Sequence, residues 1–168
     1  MSEAEESRLK ARLRSIAEKE KRTINDVWKQ LILERFLARL SQSKYRDHFI
    51  LKGALLLARY LPLGRETADA DFLIRTITAN QETMTKAVTE IASIEIKDGF
   101  FFAFKSIEIL DQPHMEYPGY RCLLSVTFGK MKDTMGLDVG IGDEVSLEAF
   151  PSNFSLLITN HSLNLKLS

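Results

Sequence analysis

The chain has 168 residues, and its 23 basic and 23 acidic side chains leave no net charge at pH 7. This length favours a single domain with a helical appendage. The single cysteine, Cys122, excludes an intrachain disulfide, the acidic first six residues do not resemble a secretory signal, and no apolar run is long enough to cross a bilayer. We therefore expect a cytoplasmic protein with no membrane partner.

Charge is unevenly distributed along the chain. Residues 8–46 contain twelve Lys or Arg but only four acids. Such asymmetry indicates an anionic partner in some proteins, but more often it marks the solvated face of a helical segment. Both interpretations stay open at this point.

Apolar residues at helical spacing predict two N-terminal helices. Residues 6–20 form the first, with Leu9 and Leu13 in its apolar stripe. The second begins at Thr23, whose hydroxyl can cap the helix while Asp26 completes an acidic form of the capping box, and it ends near Ser43. The pair could also be taken for a DNA-binding helix-turn-helix, but apolar helical stripes more often face a core.

The pattern after residue 46 is that of short strands with two interposed helices. Gly53 opens the first of these helices, and the tail from Pro151 shows no helical stripe, although residues 154–159 could form a strand. We predict an α+β fold, with a mixed sheet packed by helices and an N-terminal helical pair. Its parts are a helical segment (1–46), a core (47–150) and an irregular tail (151–168). The predicted core elements are strands at 49–51, 70–75, 100–110, 120–128 and 135–141 and helices at 54–60 and 80–95.

Two aspartates stand out at the start of a predicted apolar strand. Asp69 and Asp71 are separated by one residue, so on a strand they belong to the same face. Two adjacent carboxylates repel each other unless a cation lies between them, and Mg²⁺ prefers such oxygen ligands. The alternative is a turn or capping role for Asp69, because a single Asp-x-Asp is weak evidence.

A third acid and a glycine strengthen the metal interpretation. Asp138 lies in the glycine-rich apolar run 136–142, where an acid is either a strand-end residue or functional. If its strand lies beside that of Asp71, three carboxylates converge as in a two-metal phosphoryl-transfer site. Gly53, between a strand and a helix, can leave N–H groups free to bind phosphate. Lys52 could reach that phosphate or could be a surface lysine near a strand end, and Arg65 could neutralise it, although an Arg on a loop is more often solvated.

These residues resemble motifs of the AbiEii/AbiGii toxin family of nucleotidyltransferases, within the polymerase-beta-like superfamily. The resemblance covers residues 8 to about 150 in the family's order. Its combined motif is more specific than its separate pieces. The matching stretches are 35–43, 48–57, Arg65 with Thr67, 69–73 and 138–143.

The resemblance implies an Mg²⁺-dependent (or Mn²⁺-dependent) transfer of a nucleotidyl group from an NTP to an RNA or protein acceptor, which in some relatives is a tRNA 3′ end. It also implies an abortive-infection toxin with a cognate antitoxin. By the same resemblance, Asp69, Asp71 and Asp138 bind the metals and Asp138 aligns or activates the acceptor hydroxyl. The NTP would be held by Lys52, Gly53, Ala54 and Arg65.

Two positions and the tail depart from the family pattern. Ala68 replaces a common basic residue, and Ala70 replaces a larger aliphatic one. Nothing in residues 151–168 matches the family's helical C-terminal region with its further Lys and Asp motif, so we expect a truncated member. The alternative function is therefore a catalytically impaired remnant that binds RNA or a protein through its basic helices.

Overall fold

The computed structural model describes residues 2–51, 69–74, 80–110, 119–141, 153–155 and 162–164. For residues 51, 69, 71, 141 and the last two segments, only the backbone is described. The predicted helix at 54–60, together with Lys52, Gly53, Ala54 and Arg65, lies outside the described residues.

Two N-terminal helices form as the apolar spacing predicts. Helix α1 (Glu3–Glu20) starts three residues earlier than expected, because Ser2 and Glu5 form a capping box. Helix α2 (Ile24–Gln42) is capped by Thr23, whose Oγ1 accepts the Asp26 backbone N–H at 3.0 Å. Every residue from 31 to 40 of α2 is buried, so this part of the helix lies inside the molecule, whereas its first residues, 24 and 25, are exposed.

The remaining described elements are helix α3 (Gln81–Ala92) and seven strands. Asn80 caps α3 by accepting the Thr83 N–H at 2.7 Å. Two three-residue strands, β6 and β7, pair with each other inside the tail, where residues 162–164 were not predicted to be a strand. The strands are β1 (Phe49–Leu51), β2 (Asp69–Ile74), β3 (Phe100–Leu110), β4 (Gly119–Phe128), β5 (Met131–Ile141), β6 (Asn153–Ser155) and β7 (Ser162–Asn164).

The main sheet has the strand order β1-β2-β5-β4-β3. Only β2 and β5 are parallel, and all other neighbours are antiparallel. Strands β4 and β5 are joined by the two-residue turn Gly129-Lys130. The positive φ of Gly129 (59°) is typical of a type II′ hairpin. The predicted α+β class with a mixed sheet and an N-terminal helical pair is confirmed.

One face of the sheet carries the core. Phe36 of α2 contacts Phe72 of β2 and Phe102 of β3, with ring centroids 6.4 and 6.1 Å apart. Trp28 of α2 stacks on Phe100 of β3 at 5.8 Å. The core-facing positions of β2, β4 and β5 are apolar and almost fully buried. Alternation along each strand therefore assigns the intervening positions, among them 69, 71, 121 and 138, to the opposite face.

None of the helices in the described part of the chain is both long and apolar enough to cross a membrane.

Candidate functional site

The register of β2 with β5 brings two of the predicted acids together. Asp71 is the direct partner of Asp138 in this parallel pair, and Asp69 is the partner of Gly136. Neighbouring strands are roughly 4.8 Å apart, and paired positions in a sheet lie on the same face. The backbone thus places all three acids on one face, which is the arrangement we expected if these strands were neighbours.

The phosphate-binding residues predicted from sequence lie outside the described residues. The described chain leaves β1 at Leu51, which is paired with Phe72, the residue that follows Asp71. Lys52 and Gly53 come next in the sequence.

Arg121 is a residue of this site that the sequence analysis missed. It lies on β4, where it is the antiparallel partner of Asp138. Its Nε donates to Asp138 Oδ1 at 2.7 Å and its Nη2 donates to Oδ2 at 2.8 Å. The pair is a two-point ion pair in which both carboxylate oxygens accept a hydrogen bond.

A signal for Arg121 was present in the sequence. It is a charged residue inside the apolar run 119–124, which is the same kind of anomaly that identified Asp138. Its partner could not be named without the register of β4 with β5.

The Asp138–Arg121 pair is open to solvent on its own face. The Arg121 side chain is 39% exposed and that of Asp138 is 21% exposed.

On the opposite face, Cys122 is fully buried, and burial together with the negative charge of Asp138 raises its pKa to about 12. The thiol is therefore protonated and inert, as expected from its apolar surroundings in the sequence.

The backbones of β4 and β5 pack closely near the Asp138–Arg121 pair. A Cβ added at Gly119 would lie 2.9 Å from the carbonyl oxygen of Val139. Since that atom belongs to the backbone of β5, a side chain at residue 119 would force the strands apart. Gly119 and Val139 are each close neighbours of the ion-paired residues, so the geometry of the pair depends on this approach.

The donor set suits a hard divalent cation. Carboxylate oxygens are the ligands that Mg²⁺ takes from proteins, usually from one or two side chains, with phosphate and water completing the shell. Asp69, Asp71 and Asp138 are the residues that would hold it. Any cation that binds Asp138 must share the carboxylate with Arg121 or replace it.

The family model described as "Nucleotidyl transferase AbiEii toxin, Type IV TA system" matches residues 35–164. The match begins inside α2 rather than at residue 8, and it extends past residue 150 into the tail. It includes every residue of the predicted site. No curated protein sequence matches the chain.

Two solved structures from Helicobacter pylori are similar. One is provisionally described as a nucleotidyltransferase; it is 15% identical, with a TM-score of 0.45, over 84% of this chain and 54% of that chain. The other, JHP933, is 14% identical, with a TM-score of 0.46, over 85% of this chain and 53% of that chain. The chain therefore spans about half the length of these two structures.

Proposed function

Because the chain belongs to the AbiEii nucleotidyltransferase toxin family, we propose that it transfers a nucleotidyl group from an NTP to an acceptor. The reaction would take place on the sheet face that carries Asp69, Asp71 and Asp138. The observation that carries the proposal is the direct pairing of Asp71 with Asp138 across β2 and β5. This pairing puts acids from distant parts of the sequence at one point.

The three aspartates would hold Mg²⁺ or Mn²⁺, and the cation, when bound, would neutralise charge on the transferring phosphoryl group. Asp138 lies on the strand next to the other two acids and is partly open to solvent. In that position it can orient the acceptor hydroxyl and accept its proton. In phosphoryl transfer the protein contributes mainly by positioning the reactants and by stabilising charge.

The NTP and the acceptor are proposed from the resemblance described above. Lys52, Gly53, Ala54 and Arg65 would bind the triphosphate. The exit of the chain from β1 beside the position of Asp71 supports this assignment for the first of them. An RNA acceptor such as a tRNA 3′ end and a cognate antitoxin are the proposed partners, and the cytoplasm is the proposed location.

The competing interpretation, an RNA- or protein-binding remnant with basic helices, finds less support. Two of the twelve basic residues in the 8–46 stretch, Arg35 and Arg39, are buried in the molecule and pair with Asp98. A third, Lys29, pairs with Asp133 at 2.8 Å. The basic surface available to a partner is therefore smaller than the sequence suggests.

Asp71→Asn and Asp138→Asn test the proposal, since each keeps the side-chain shape and removes the charge. We expect transfer from labelled NTPs to an RNA pool with Mg²⁺ to fall by roughly 10²-fold or more in each variant. Calorimetry with Mg²⁺ and each NTP should show weaker binding for both variants. Glu95→Gln, at an exposed position in the connection between α3 and β3, is the matched control and should behave as wild type.

Wild-type rates and NTP affinities in both aspartate variants would contradict the proposal. Circular dichroism of each variant establishes that a loss of transfer does not come from a loss of fold.

A further inference from the structure

Four charged positions form a row across the open face of the sheet. Glu108 of β3 is the partner of Arg121 of β4, Arg121 is the partner of Asp138 of β5, and Asp138 is the partner of Asp71 of β2. Three of these four positions are acidic, and Arg121 is the basic one. It lies between two of them.

Like charges at directly opposite positions of a sheet destabilise it, and opposite charges stabilise it. Asp71 and Asp138 are such a like-charged pair at adjacent backbone positions. The guanidinium of Arg121 offsets the charge of Asp138 from the other side, with both carboxylate oxygens engaged. In electrostatic terms Arg121 takes the place of a cation bound to Asp138.

We propose that Arg121 is a positioning residue that holds the Asp138 carboxylate and competes with the divalent cation for its two oxygens. Cation binding at Asp138 and release of Arg121 are then one exchange. This inference rests on the proposed function, because it takes Asp138 as a cation ligand.

The exposure of the pair makes the exchange feasible. Arg121 is 39% exposed, so its guanidinium can return to water when it leaves Asp138. Solvent-exposed ion pairs contribute little net stability, and even a two-point pair is weakened by solvent screening. A divalent cation gains from several carboxylates at once, whereas the exchange gives up the two hydrogen bonds from Arg121 to Asp138. The cation should therefore displace Arg121 from Asp138, but the competition should reduce the affinity of the site for the cation.

Mn²⁺ titration of Arg121→Met measures the competition, because Met keeps most of the side-chain length and removes the charge. We expect the variant to bind Mn²⁺ about tenfold more tightly than wild type, as one nearby positive charge and one competitor are gone. In EDTA, the variant should have a lower melting temperature than wild type, since Asp138 then faces Asp71 without an offsetting charge. Saturating Mn²⁺ should remove that deficit.

Lys132→Met is the matched control. Lys132 lies on β5, on the same open face and exposed, but six residues from Asp138 along the strand, or roughly 20 Å. Lys132→Met removes one positive charge, as Arg121→Met does, but at a distance from the site that exceeds the Debye length. Its Mn²⁺ affinity should equal that of wild type. A tenfold gain in this variant too would show a general charge effect and overturn the inference.

Arg121→Lys keeps the charge but loses the two-point geometry, and it serves even if Arg121→Met does not fold. It should bind Mn²⁺ roughly threefold more tightly than wild type, between wild type and Arg121→Met. An unchanged affinity in Arg121→Lys and Arg121→Met, with a melting deficit that Mn²⁺ does not remove, would make the pair merely structural and overturn the inference.

Asp138→Asn separates this inference from the proposed function. If it weakens Mn²⁺ binding while Arg121→Met matches wild type, the proposed function stands and the inference alone fails. If Asp138→Asn leaves Mn²⁺ binding unchanged, or if wild type binds no Mn²⁺, both fail.

Discussion

Cys122 lies one residue from Arg121 on β4, yet it is on the opposite, fully buried face of the sheet. Burial, with a smaller contribution from the charge of Asp138, raises its pKa to about 12. Alternation along a strand is enough to separate an exposed ion pair from an inert thiol at adjacent residues.

We expect native protein to resist alkylation by iodoacetamide at about pH 8, because only the thiolate reacts and the folded thiol stays protonated. The chain has one cysteine, so mass spectrometry reads the modification directly. In urea the same thiol should react fully. Alkylation of native protein at the rate of the unfolded chain would contradict the assigned burial.

The same shift predicts the sign of a pH effect on stability. The unfolded thiol ionises near its ordinary value of 9.0, whereas the folded thiol holds its proton to about 12. The folded state therefore binds more protons in this window. The contribution of Cys122 to stability is complete below about pH 9 and is lost as the pH rises through about 12.

The unusual positions are visible in the sequence, but their partners are not. Asp138 could be singled out because an acid in an apolar glycine-rich run is anomalous, and its place beside Asp71 followed only on condition that the strands were neighbours. Arg121 was missed because its role depends on the register of β4 with β5. A shift of one residue in that register would move its side chain to the other face.

The link between helix α2 and strand β5 depends on Asp133. Its Oδ2 accepts the indole N–H of Trp28 and its Oδ1 accepts from Lys29 Nζ, both at 2.8 Å. Burial alone would raise the pKa of Asp133, but hydrogen bonds from Lys29, the Thr134 backbone N–H and Trp28 outweigh it and hold the pKa below its usual value. The carboxylate thus stabilises the fold in its charged form.

Asp133→Asn should lower the free energy of unfolding by about 1–2 kcal/mol near pH 7, since charged hydrogen bonds are replaced by neutral ones. A depressed carboxyl pKa contributes stability above the unfolded value, so the difference from wild type should shrink as the pH falls below 3.8. Trp28, the sole tryptophan, reports unfolding by its fluorescence. Glu95→Gln is the control and should unfold as wild type does. If the difference in free energy of unfolding between Asp133→Asn and wild type did not change with pH, the role given to the charged Asp133 would be contradicted.

Element boundaries were predictable where a local signal marks them. Thr23 as the cap of α2 and Ser43 at its end follow from side-chain chemistry, and both are found. Strand β5 starts at Met131 rather than at residue 135, because polar residues 132–134 gave no apolar pattern although they pair with β4. Strand β7 has too few residues to produce a detectable period.

At the scale of the whole molecule, a buried ion cluster joins α2 to the start of β3. Arg39 donates to both Asp98 oxygens at 2.9 and 3.0 Å and also to the Phe100 carbonyl at 2.8 Å. Arg35 contacts the same carboxylate at 3.4 Å. The side chains of Arg39 and Asp98 are only 2% and 8% exposed, so these charges depend on each other.

Asp98→Ala should lower the free energy of unfolding by about 3 kcal/mol or more, because it leaves two buried guanidinium groups without their carboxylate. Urea unfolding followed by circular dichroism measures the loss. Lys97→Ala, at the neighbouring exposed position, should change it by less than about 0.5 kcal/mol. A loss below about 1 kcal/mol in Asp98→Ala would contradict the buried character of the cluster.

The fold class was predictable from periodicity, but the strand order β1-β2-β5-β4-β3 was not. Helical and strand patterns are local properties of the sequence. The choice of partners between strands that are far apart in the chain is made by packing of the completed core. In the same way, the sequence does not tell which of the twelve basic residues in the 8–46 stretch are buried, and only the fold shows that Arg35 and Arg39 are.

The parallel pairing of β2 with β5 has a consequence for synthesis on the ribosome. Strands β3 and β4 are made between the two, so Asp71 emerges well before Asp138 and cannot acquire its neighbour until β5 has left the exit tunnel. Pairing between such distant segments is a late event in folding. A polypeptide still under translation before that point would therefore lack the pairing of Asp71 with Asp138.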